Sequence, residues 1–277
     1  MTIPEKSRLL LDLHHASDPI VLVNAWDAAS ARIVEDAGFP AVATTSAGLA
    51  NALGKADGQN LSLEEMLGAI RRIAAAVRVP LTADVEAGFA NDPAGILRSM
   101  DEIIAAGAVG VNLEDALPGH TPRGPLFPLP EQIARIQAAR QAGEKRDIHL
   151  VINARTDAYW QAGVTPQQAI ENTLERGKAY LKAGADCVFI PGLKEAEQIR
   201  AVVKELNAPI NILAVPGAPT VSELKALGVK RVSFGSGPMR AAMGFLRRVA
   251  QEAMKSGSWE LMNENAIPYP EINAMFK

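Results

Sequence analysis

Short apolar runs alternate along this chain with longer segments in which apolar positions recur every three or four residues. The short runs lack the polar alternation of a half-exposed strand, so they predict parallel strands that are buried on both faces. The longer segments predict amphipathic helices. We expect eight strands, over residues 20–24, 41–45, 81–85, 109–113, 149–154, 186–190, 210–215 and 231–234.

Helices are predicted before the first strand and between the strands, and several of them end at a glycine, a common helix stop. Eight strand–helix units in series, without a second domain, favour a (β/α)8 barrel, the TIM-barrel fold of the α/β class. A doubly wound open sheet is the alternative, but such sheets usually stop at about five or six strands. The helices are expected over residues 4–15, 28–37, 62–77, 93–106, 131–142, 166–183, 194–206, 220–227 and 239–255.

The whole chain is expected to form one domain. It has 277 residues, of which 48% are hydrophobic, which is ample for one large core. The residues after Ser256 include Trp259 and Tyr269 and are too apolar for a free tail, so we expect them to pack on the barrel or on a neighbouring subunit. Within the domain of residues 1–277, the predicted parts are an N-terminal helix (1–19), the barrel (20–255) and a C-terminal segment (256–277).

Composition excludes several classes of protein. The net charge of -3 and the lack of a basic run argue against a nucleic-acid partner. No apolar run approaches the roughly 20 residues that a membrane span needs. The single cysteine, Cys187, lies in an apolar run and is interpreted as a small buried hydrophobe, which excludes a disulfide framework and a cysteine-rich metal site. A cytoplasmic enzyme is the expectation.

Acidic side chains follow two neighbouring predicted strands. Asp84 and Glu86 are two residues apart, so they leave the end of a strand on the same side, and Glu114 follows the next strand. Paired buried acids are costly unless they bind a cation, accept hydrogen bonds or share a proton. In a barrel of this kind the chemistry lies at these strand ends. The alternative is that such acids cap the following helices, as Asp27 is placed to do.

Acids together with one arginine fit a hard divalent cation beside an anionic substrate. Mg²⁺ is the natural choice and Mn²⁺ the second candidate, whereas the lack of accompanying His or Cys argues against zinc. Arg155 either pairs with an acid or binds a substrate carboxylate. Thr45 and Ser46 form a turn or present hydroxyl and N–H groups to that carboxylate. His120, in a Pro- and Gly-rich loop, is either exposed or an acid–base group of a gating loop.

Several motifs, in order, resemble the isocitrate lyase/phosphoenolpyruvate mutase superfamily. Each motif alone is weak, but the set is specific and spans most of the chain, from Val21 to Gly237. The motifs are Asn24-Ala25-Trp26-Asp27-Ala28-Ala29-Ser30-Ala31, Thr44-Thr45-Ser46-Ala47-Gly48, Leu53-Gly54 with Asp57, Thr82-Ala83-Asp84-Val85-Glu86-Ala87-Gly88, Asn112-Leu113-Glu114-Asp115 and Asn153-Ala154-Arg155-Thr156-Asp157.

The resemblance implies a (β/α)8 barrel that holds Mg²⁺ and a 2-oxo acid, and dimers or tetramers that swap a C-terminal helix. Asp84 resembles the direct metal ligand, and Asp57, Glu86 and Glu114 resemble acids that act on the metal largely through water. The remaining expected site residues are Arg155 and Glu114 in catalysis, joined by His120, and Trp26, Thr45, Ser46, Ala47 and Arg155 in substrate binding.

Departures from the family pattern narrow the expected reaction. The isocitrate and methylisocitrate lyases carry a Lys-Lys/Arg-Cys-Gly-His loop after strand four, whereas this chain has 117–123 there, with Gly119-His120 but no cysteine. Cys187 lies in another strand and cannot replace it. The lysine and asparagine of the mutase loop are also absent, and Val215 stands where the methylisocitrate lyases have an asparagine. These differences argue against all three activities.

The functional hypothesis is therefore a Mg²⁺-dependent lyase of a small 2-oxo acid, with oxaloacetate decarboxylation as the preferred reaction. Loss of CO₂ needs no catalytic cysteine, and Mg²⁺ stabilises the enolate that is left. The alternatives are hydrolysis of the C–P bond of phosphonopyruvate, C–C cleavage of a malate- or isocitrate-like acid, and a protein that binds a 2-oxo acid without catalysis.

Overall fold

The computed structural model describes residues 1–119 and 124–277. Nine strands form one sheet in this part of the chain, and all of their pairings are parallel. The strands are β1 (Ile20–Leu22), β2 (Asn24–Ala25), β3 (Val42–Thr44), β4 (Leu81–Asp84), β5 (Gly110–Glu114), β6 (Val151–Arg155), β7 (Cys187–Phe189), β8 (Ile210–Leu213) and β9 (Arg231–Ser233).

The sheet closes on itself at its first strand. The order is β1-β9-β8-β7-β6-β5-β4-β3-β2, and only Val23 separates β1 from β2. The predicted first strand, 20–24, is thus divided, with β1 pairing with β9 and β2 with β3. Nine strands therefore occupy the eight positions of a barrel, and the predicted (β/α)8 fold is confirmed.

Helices follow the strands as expected, with three additions. A short helix begins directly after β3, where the sequence indicated a loop, and two short helices lie in the C-terminal segment. A single 3₁₀ turn covers Ala158–Trp160. The α-helices are α1 (Ile3–His15), α2 (Ala28–Asp36), α3 (Ser46–Ala52), α4 (Leu63–Ala76), α5 (Pro93–Ala105), α6 (Leu129–Lys145), α7 (Pro166–Lys182), α8 (Ala196–Leu206), α9 (Val221–Ala226), α10 (Gly237–Ser256), α11 (Glu260–Asn265) and α12 (Tyr269–Ala274).

Side-chain caps fix where many of these helices begin. Thr2, Ser62, Thr165 and Thr220 each accept a hydrogen bond from the backbone N–H three residues later, and the residue there bonds back to the cap. Such a cap typically contributes about 1 kcal/mol. Asp27 does the same for α2, with its Oδ1 2.7 Å from the N–H nitrogen of Ser30. The capping interpretation of that acid is therefore the one that the structure supports.

Helix α1 covers the amino end of the barrel. Leu10 is fully buried there and packs in one apolar cluster with residues from the first half of the strands, such as Ile20, Leu22 and Val151. The hydroxyl of Ser7 donates to the carbonyl of His149 at 2.6 Å and ties the helix to the entrance of β6. This end is therefore closed, and the opposite end is left for a site.

Helix α10 and the C-terminal segment leave large apolar side chains in water. Leu246 and Met254 of α10 are 59% and 89% exposed, and Tyr269 is 81% exposed. The end of the segment returns to the barrel, where the Nε of Arg32 donates to the carbonyl of Met275 at 2.7 Å. Packing on a neighbouring subunit stays a prediction, as does the helix swap. None of the helices within 1–119 and 124–277 is both long and apolar enough to cross a membrane.

Candidate active site

A cavity of about 210 Å³ opens at the carboxyl ends of the strands. Most of the predicted strand-end residues meet there because the ends of neighbouring parallel strands lie side by side. Its size suits a small molecule. The lining residues are Asn24, Thr44, Thr45, Ser46, Ala47, Asp57, Thr82, Ala83, Asp84, Asn112, Arg155, Trp160, Phe189, Pro191, Asn211, Leu213, Ser233, Gly235 and Ser236.

Asp84, the last residue of β4, is held by its neighbours on both sides. Its backbone N–H donates to Thr44 Oγ1 at 2.8 Å. Its Oδ1 accepts from Asn112 Nδ2 at 2.9 Å, and its Oδ2 accepts from the backbone N–H of Ser46 at 3.0 Å. Asn112 is itself oriented by Asn153, whose Nδ2 donates to Asn112 Oδ1 at 2.9 Å. Four strands and the start of α3 thus fix one carboxylate in the cavity.

Glu86 lies behind Asp84 and is buried. Its φ of 50° places it in the left-handed region, where a non-glycine residue is uncommon. Its Oε1 accepts from the backbone N–H groups of Gly58 and Gln59, so it holds the loop that carries Asp57. Burial, and then the charge of Asp84, raise the pKa of Glu86 to about 7.

Asp57 completes a group of three neighbouring carboxylates. It lines the cavity, and its Oδ1 accepts from the hydroxyl of Ser46 at 3.3 Å. Burial and the charge of Asp84 raise the pKa of Asp57. Carboxylates that raise one another's pKa values form a region of negative potential that a cation would relieve.

The arrangement fits a cation that keeps much of its water. Within the described ranges, no three His, Cys, Asp or Glu side chains converge into a direct metal cage. Mg²⁺ needs no such cage, because it usually binds one or two carboxylates and retains several waters. Asp84, fixed in the cavity with Asp57 and Glu86 beside it, is a donor set of that kind.

Arg155, at the end of β6, lies between two acids. Its Nη1 is 2.7 Å from Glu114 Oε2. Its Nε and Nη2 donate to the two carboxylate oxygens of Asp157 at 2.6 and 2.8 Å. Burial alone would lower the pKa of Arg155, but the charges of Glu114 and Asp157 outweigh it and hold that pKa above its usual range. The guanidinium is therefore charged and held rigidly, and Arg155 lines the cavity.

Glu114 faces Arg155. Burial raises the pKa of Glu114 well above its ordinary value, against the opposing effect of the Arg155 charge. The structure thus supports the interpretation of Arg155 as an ion-pair partner, and at the same time places it in the lining of the cavity. Its bidentate partner Asp157 was not among the predicted site residues, although the spacing of the two residues is the signal that could have revealed it.

The predicted substrate-binding residues are only partly brought together. Thr45, Ser46 and Ala47 line the cavity at the start of α3. Trp26 does not line it but a neighbouring groove, beside Met239 of α10. His120 lies outside the described residues.

The cavity also has an apolar wall. Trp160, Phe189, Pro191 and Leu213 line the side of the cavity supplied by β6 to β8. The guanidinium of Arg155 lies 5.7 Å from the ring centre of Trp160 and 5.9 Å from that of Phe189, within the range of cation–π attraction. The site therefore has an acidic side and an apolar side, with Arg155 between them.

Comparison with known proteins gives one consistent family. The family model described as phosphoenolpyruvate phosphomutase matches residues 10–254. The chain is 32% identical over 250 residues to 2-methylisocitrate lyase of Shewanella oneidensis, covering 87% of this chain and 82% of that protein. It is 31% identical over 227 residues to oxaloacetate decarboxylase of Rhodopseudomonas palustris, covering 79% and 75%. The solved structure of oxaloacetate acetylhydrolase in complex with the product oxalate matches with a TM-score of 0.86 at 26% identity, covering 98% and 93%.

Proposed function

Since the chain belongs to the phosphoenolpyruvate phosphomutase family, a family of lyases and mutases, we propose that it is a Mg²⁺-dependent lyase of a small 2-oxo acid and that it decarboxylates oxaloacetate. Relatives named for reactions of oxaloacetate support the substrate class. The cavity volume of about 210 Å³ is in keeping with a molecule of this size.

The observation that carries the choice of reaction is the kind of titratable group in the cavity: the acids that line it, Asp57 and Asp84, belong to the donor set for Mg²⁺. In the part of the chain that the structure describes, no Lys, His or Cys lines the cavity. Aldol-type cleavage needs a base that removes a hydroxyl proton from the substrate. Decarboxylation needs no such base, because CO₂ leaves without removal of a proton, and the enolate that remains would take its proton from water to give pyruvate. The residues present therefore favour decarboxylation.

In this proposal, different residues bind the substrate and the metal. Arg155 attracts a substrate carboxylate, and Thr45, Ser46 and Ala47 bind the other end with hydroxyl and N–H groups. Asp84 is the direct Mg²⁺ ligand, with Asp57, Glu86 and Glu114 as outer acids. Mg²⁺, when bound, supplies a Lewis acid for the negative charge that develops on the 2-oxo oxygen.

The apolar wall favours a second candidate. Trp160, Phe189 and Leu213 offer no hydrogen-bonding partner for a carboxylate along most of their surface, but they suit an alkyl group. C–C cleavage of an alkyl-bearing, malate-like acid is therefore the alternative reaction.

Pyruvate release from oxaloacetate tests the proposal. We would measure it with Mg²⁺ and with EDTA, subtracting the rate of metal ion without protein. Turnover that requires Mg²⁺ and is lost in Asp84→Ala, but kept in the control Asp12→Ala on the exposed face of α1, is the expected result. No turnover above background would refute decarboxylation. Cleavage of alkyl malates would then support the second candidate, phosphate release from phosphonopyruvate would indicate C–P hydrolysis, and saturable binding without turnover of any of these acids would indicate a binding protein.

A further inference from the structure

Asp115 directly follows Glu114 but points away from the cavity and is fully buried. Its carboxylate nevertheless accepts three hydrogen bonds. Oδ1 accepts from the backbone N–H of Asp157 at 2.9 Å. Oδ2 accepts from the hydroxyl of Tyr180 at 2.6 Å and from Nη1 of Arg176 at 3.2 Å, both on α7. This carboxylate therefore links helix α7 to the segment after β6.

That segment is the one that orients Arg155. The backbone N–H of Asp115 donates to the carbonyl of Arg155 at 3.2 Å, so Asp115 bonds both to the arginine's own backbone and to the N–H two residues later. Asp115 holds the backbone of Asp157. The carboxylate of Asp157 in turn accepts two parallel hydrogen bonds from the guanidinium of Arg155. Such a fork fixes the plane of an arginine as well as its position. The direction in which Arg155 faces the cavity thus depends on where Asp115 holds Asp157.

Arg176 also anchors the segment that returns to the barrel after β5. Its Nη1 and Nη2 both donate to the carbonyl of Phe127 at 3.1 Å, and Nη1 lies 3.0 Å from the hydroxyl of Tyr180. The N–H of Phe127 donates to the carbonyl of Asp115 at 2.8 Å. The cluster of Asp115, Arg176 and Tyr180 therefore ties three chain segments to one point behind the site.

Stability alone is a weak reason for such a cluster. A buried ion pair recovers little more than its desolvation cost, and well-packed apolar residues would often serve as well. A buried ionic group does, however, fix geometry, because each hydrogen bond has a preferred direction. The cluster of Asp115, Arg176 and Tyr180 is linked to the guanidinium of Arg155 through Asp157. The geometry that it fixes is therefore that of the arginine in the cavity.

We propose that Asp115, Arg176 and Tyr180 are positioning residues, which act through Asp157 to hold the Arg155 guanidinium in the orientation that binds an anionic ligand. The inference rests on the proposed function only in taking the ligand of Arg155 to be a small carboxylate. It assigns no chemical step to the three residues.

Tyr180→Phe is the sharpest variant, because it removes one donor to Asp115 and leaves the packing volume almost unchanged. Tyr159→Phe is the matched control, since its hydroxyl donates to Gln198 at 2.7 Å and has no bond to this cluster. Asp115→Asn and Arg176→Lys extend the series, and the lysine, which keeps the charge but not the fork, should be the milder of the two. Oxalate, a planar dicarboxylate, and Mg²⁺ are the probes.

We expect oxalate, with Mg²⁺ present, to bind Tyr180→Phe about tenfold more weakly than wild type, an effect of the size seen when an outer partner of a site residue is lost. Mg²⁺ affinity should stay within about twofold, because Asp84 is held by other residues. KM should rise more than kcat falls, since the lost contact is made in the ground state as well. Tyr159→Phe should match wild type in all three measurements.

Equal oxalate affinity in wild type and Tyr180→Phe, or a parallel loss of Mg²⁺ affinity that signals general loosening, would overturn the inference. Wild type that binds no oxalate would instead count against the proposed function. Crystal structures of wild type and Tyr180→Phe then decide the positioning role by themselves. A guanidinium of Arg155 that shifts together with Asp157 in the variant supports it, and unchanged positions of both side chains refute it.

Discussion

Buried titratable groups are arranged differently at the two ends of this barrel. At the carboxyl end, Asp57, Asp84 and Glu86 lie close together beside an open cavity. At the amino end, closed by α1, Arg231 and His14 are buried side by side. In the described part of the chain, Arg231 makes no ion pair with a carboxylate, and its Nη1 lies 3.3 Å from Nε2 of His14.

Burial disfavours charge at both ends, but the consequences differ. At the carboxyl end, burial and mutual repulsion raise the pKa values of Glu86 and Asp57, and a cation would relieve both. At the amino end, burial and then Arg231 lower the pKa of His14 to about 4. The ring is therefore neutral at pH 7: Nδ1 donates to the carbonyl of Leu10 at 2.7 Å, which leaves Nε2 to accept from Arg231. Repulsion between acids thus remains at the carboxyl end, whereas at the amino end the neutral ring of His14 does not repel Arg231.

The largest expected effect comes from Asp84→Asn at the carboxyl end. Turnover should fall on the order of 10³-fold, since a metal ion contributes several kcal/mol to stabilising developing charge. The free energy of unfolding of the metal-free variant should stay within about 1 kcal/mol of wild type, because the relief of repulsion with Glu86 and Asp57 offsets the loss of one of the two hydrogen bonds that Asp84 accepts. Activity assays and urea unfolding in EDTA check this prediction. A variant that unfolds much more readily would mean that Asp84 is part of the scaffold.

Leu10→Ala at the amino end should lower the stability of the fold and leave turnover unchanged. The residue is fully buried, so its truncation should lower the free energy of unfolding by about 2–5 kcal/mol. Turnover per folded molecule should not change, because the cavity lies at the other end. Urea unfolding and a titrated active-site assay measure the two quantities. Ile33→Ala, at a side chain that is 40% exposed, is the control and should cost clearly less. A loss of specific activity in Leu10→Ala would show that the two ends are coupled.

The neutral His14 makes the free energy of unfolding depend on pH. Its pKa is about 4 in the folded chain and about 6.5 when unfolded, so below pH 6.5 the unfolded chain binds a proton that the folded chain does not. Stability should therefore fall as the pH drops from 6.5 towards 4, by about 2 kcal/mol at pH 5. The difference in unfolding free energy between pH 7 and pH 5 should shrink by this amount in His14→Gln. The exposed neighbour His15, changed to Gln, should leave the difference unaltered, and an equal response of both variants would refute the assignment.

Most of the fold and the acidic side of the site could be predicted from the sequence, because both follow from short patterns of residues along the chain. Apolar runs mark strands that are buried on both faces, and parallel strands bring Asp84 and Asn112 side by side in register. The division of 20–24 at Val23 could not be read in the same way, since it depends on how the first strand meets both β9 and β3.

Contacts between distant segments also escaped prediction. Phe189 and Leu213 gave no sign of lining the site, because an apolar residue at a strand end reads as core until the cavity is formed. The link from Tyr180 to Asp115 joins residues 65 positions apart. Trp26 was predicted from its place at a strand end, but its ring turns towards α10 and away from the cavity. In each case the deciding quantity is the direction of a side chain, which a one-dimensional pattern does not contain.

Ser46→Ala should give the smallest effect, and it separates metal binding from substrate binding on the acidic side of the site. The backbone N–H of Ser46 still holds Asp84 in this variant, so Mg²⁺ affinity should change by less than about twofold. The hydroxyl is lost, together with its long 3.3 Å bond to Asp57 and the contact that we propose for it with the substrate carboxylate. A hydrogen bond worth about 0.5–1.5 kcal/mol predicts a rise in KM of about two- to tenfold with kcat nearly constant. Ser236→Ala, across the cavity, is the control for a lost hydroxyl in the same lining. A fall in kcat with unchanged KM would place Ser46 in the chemical step and not in binding.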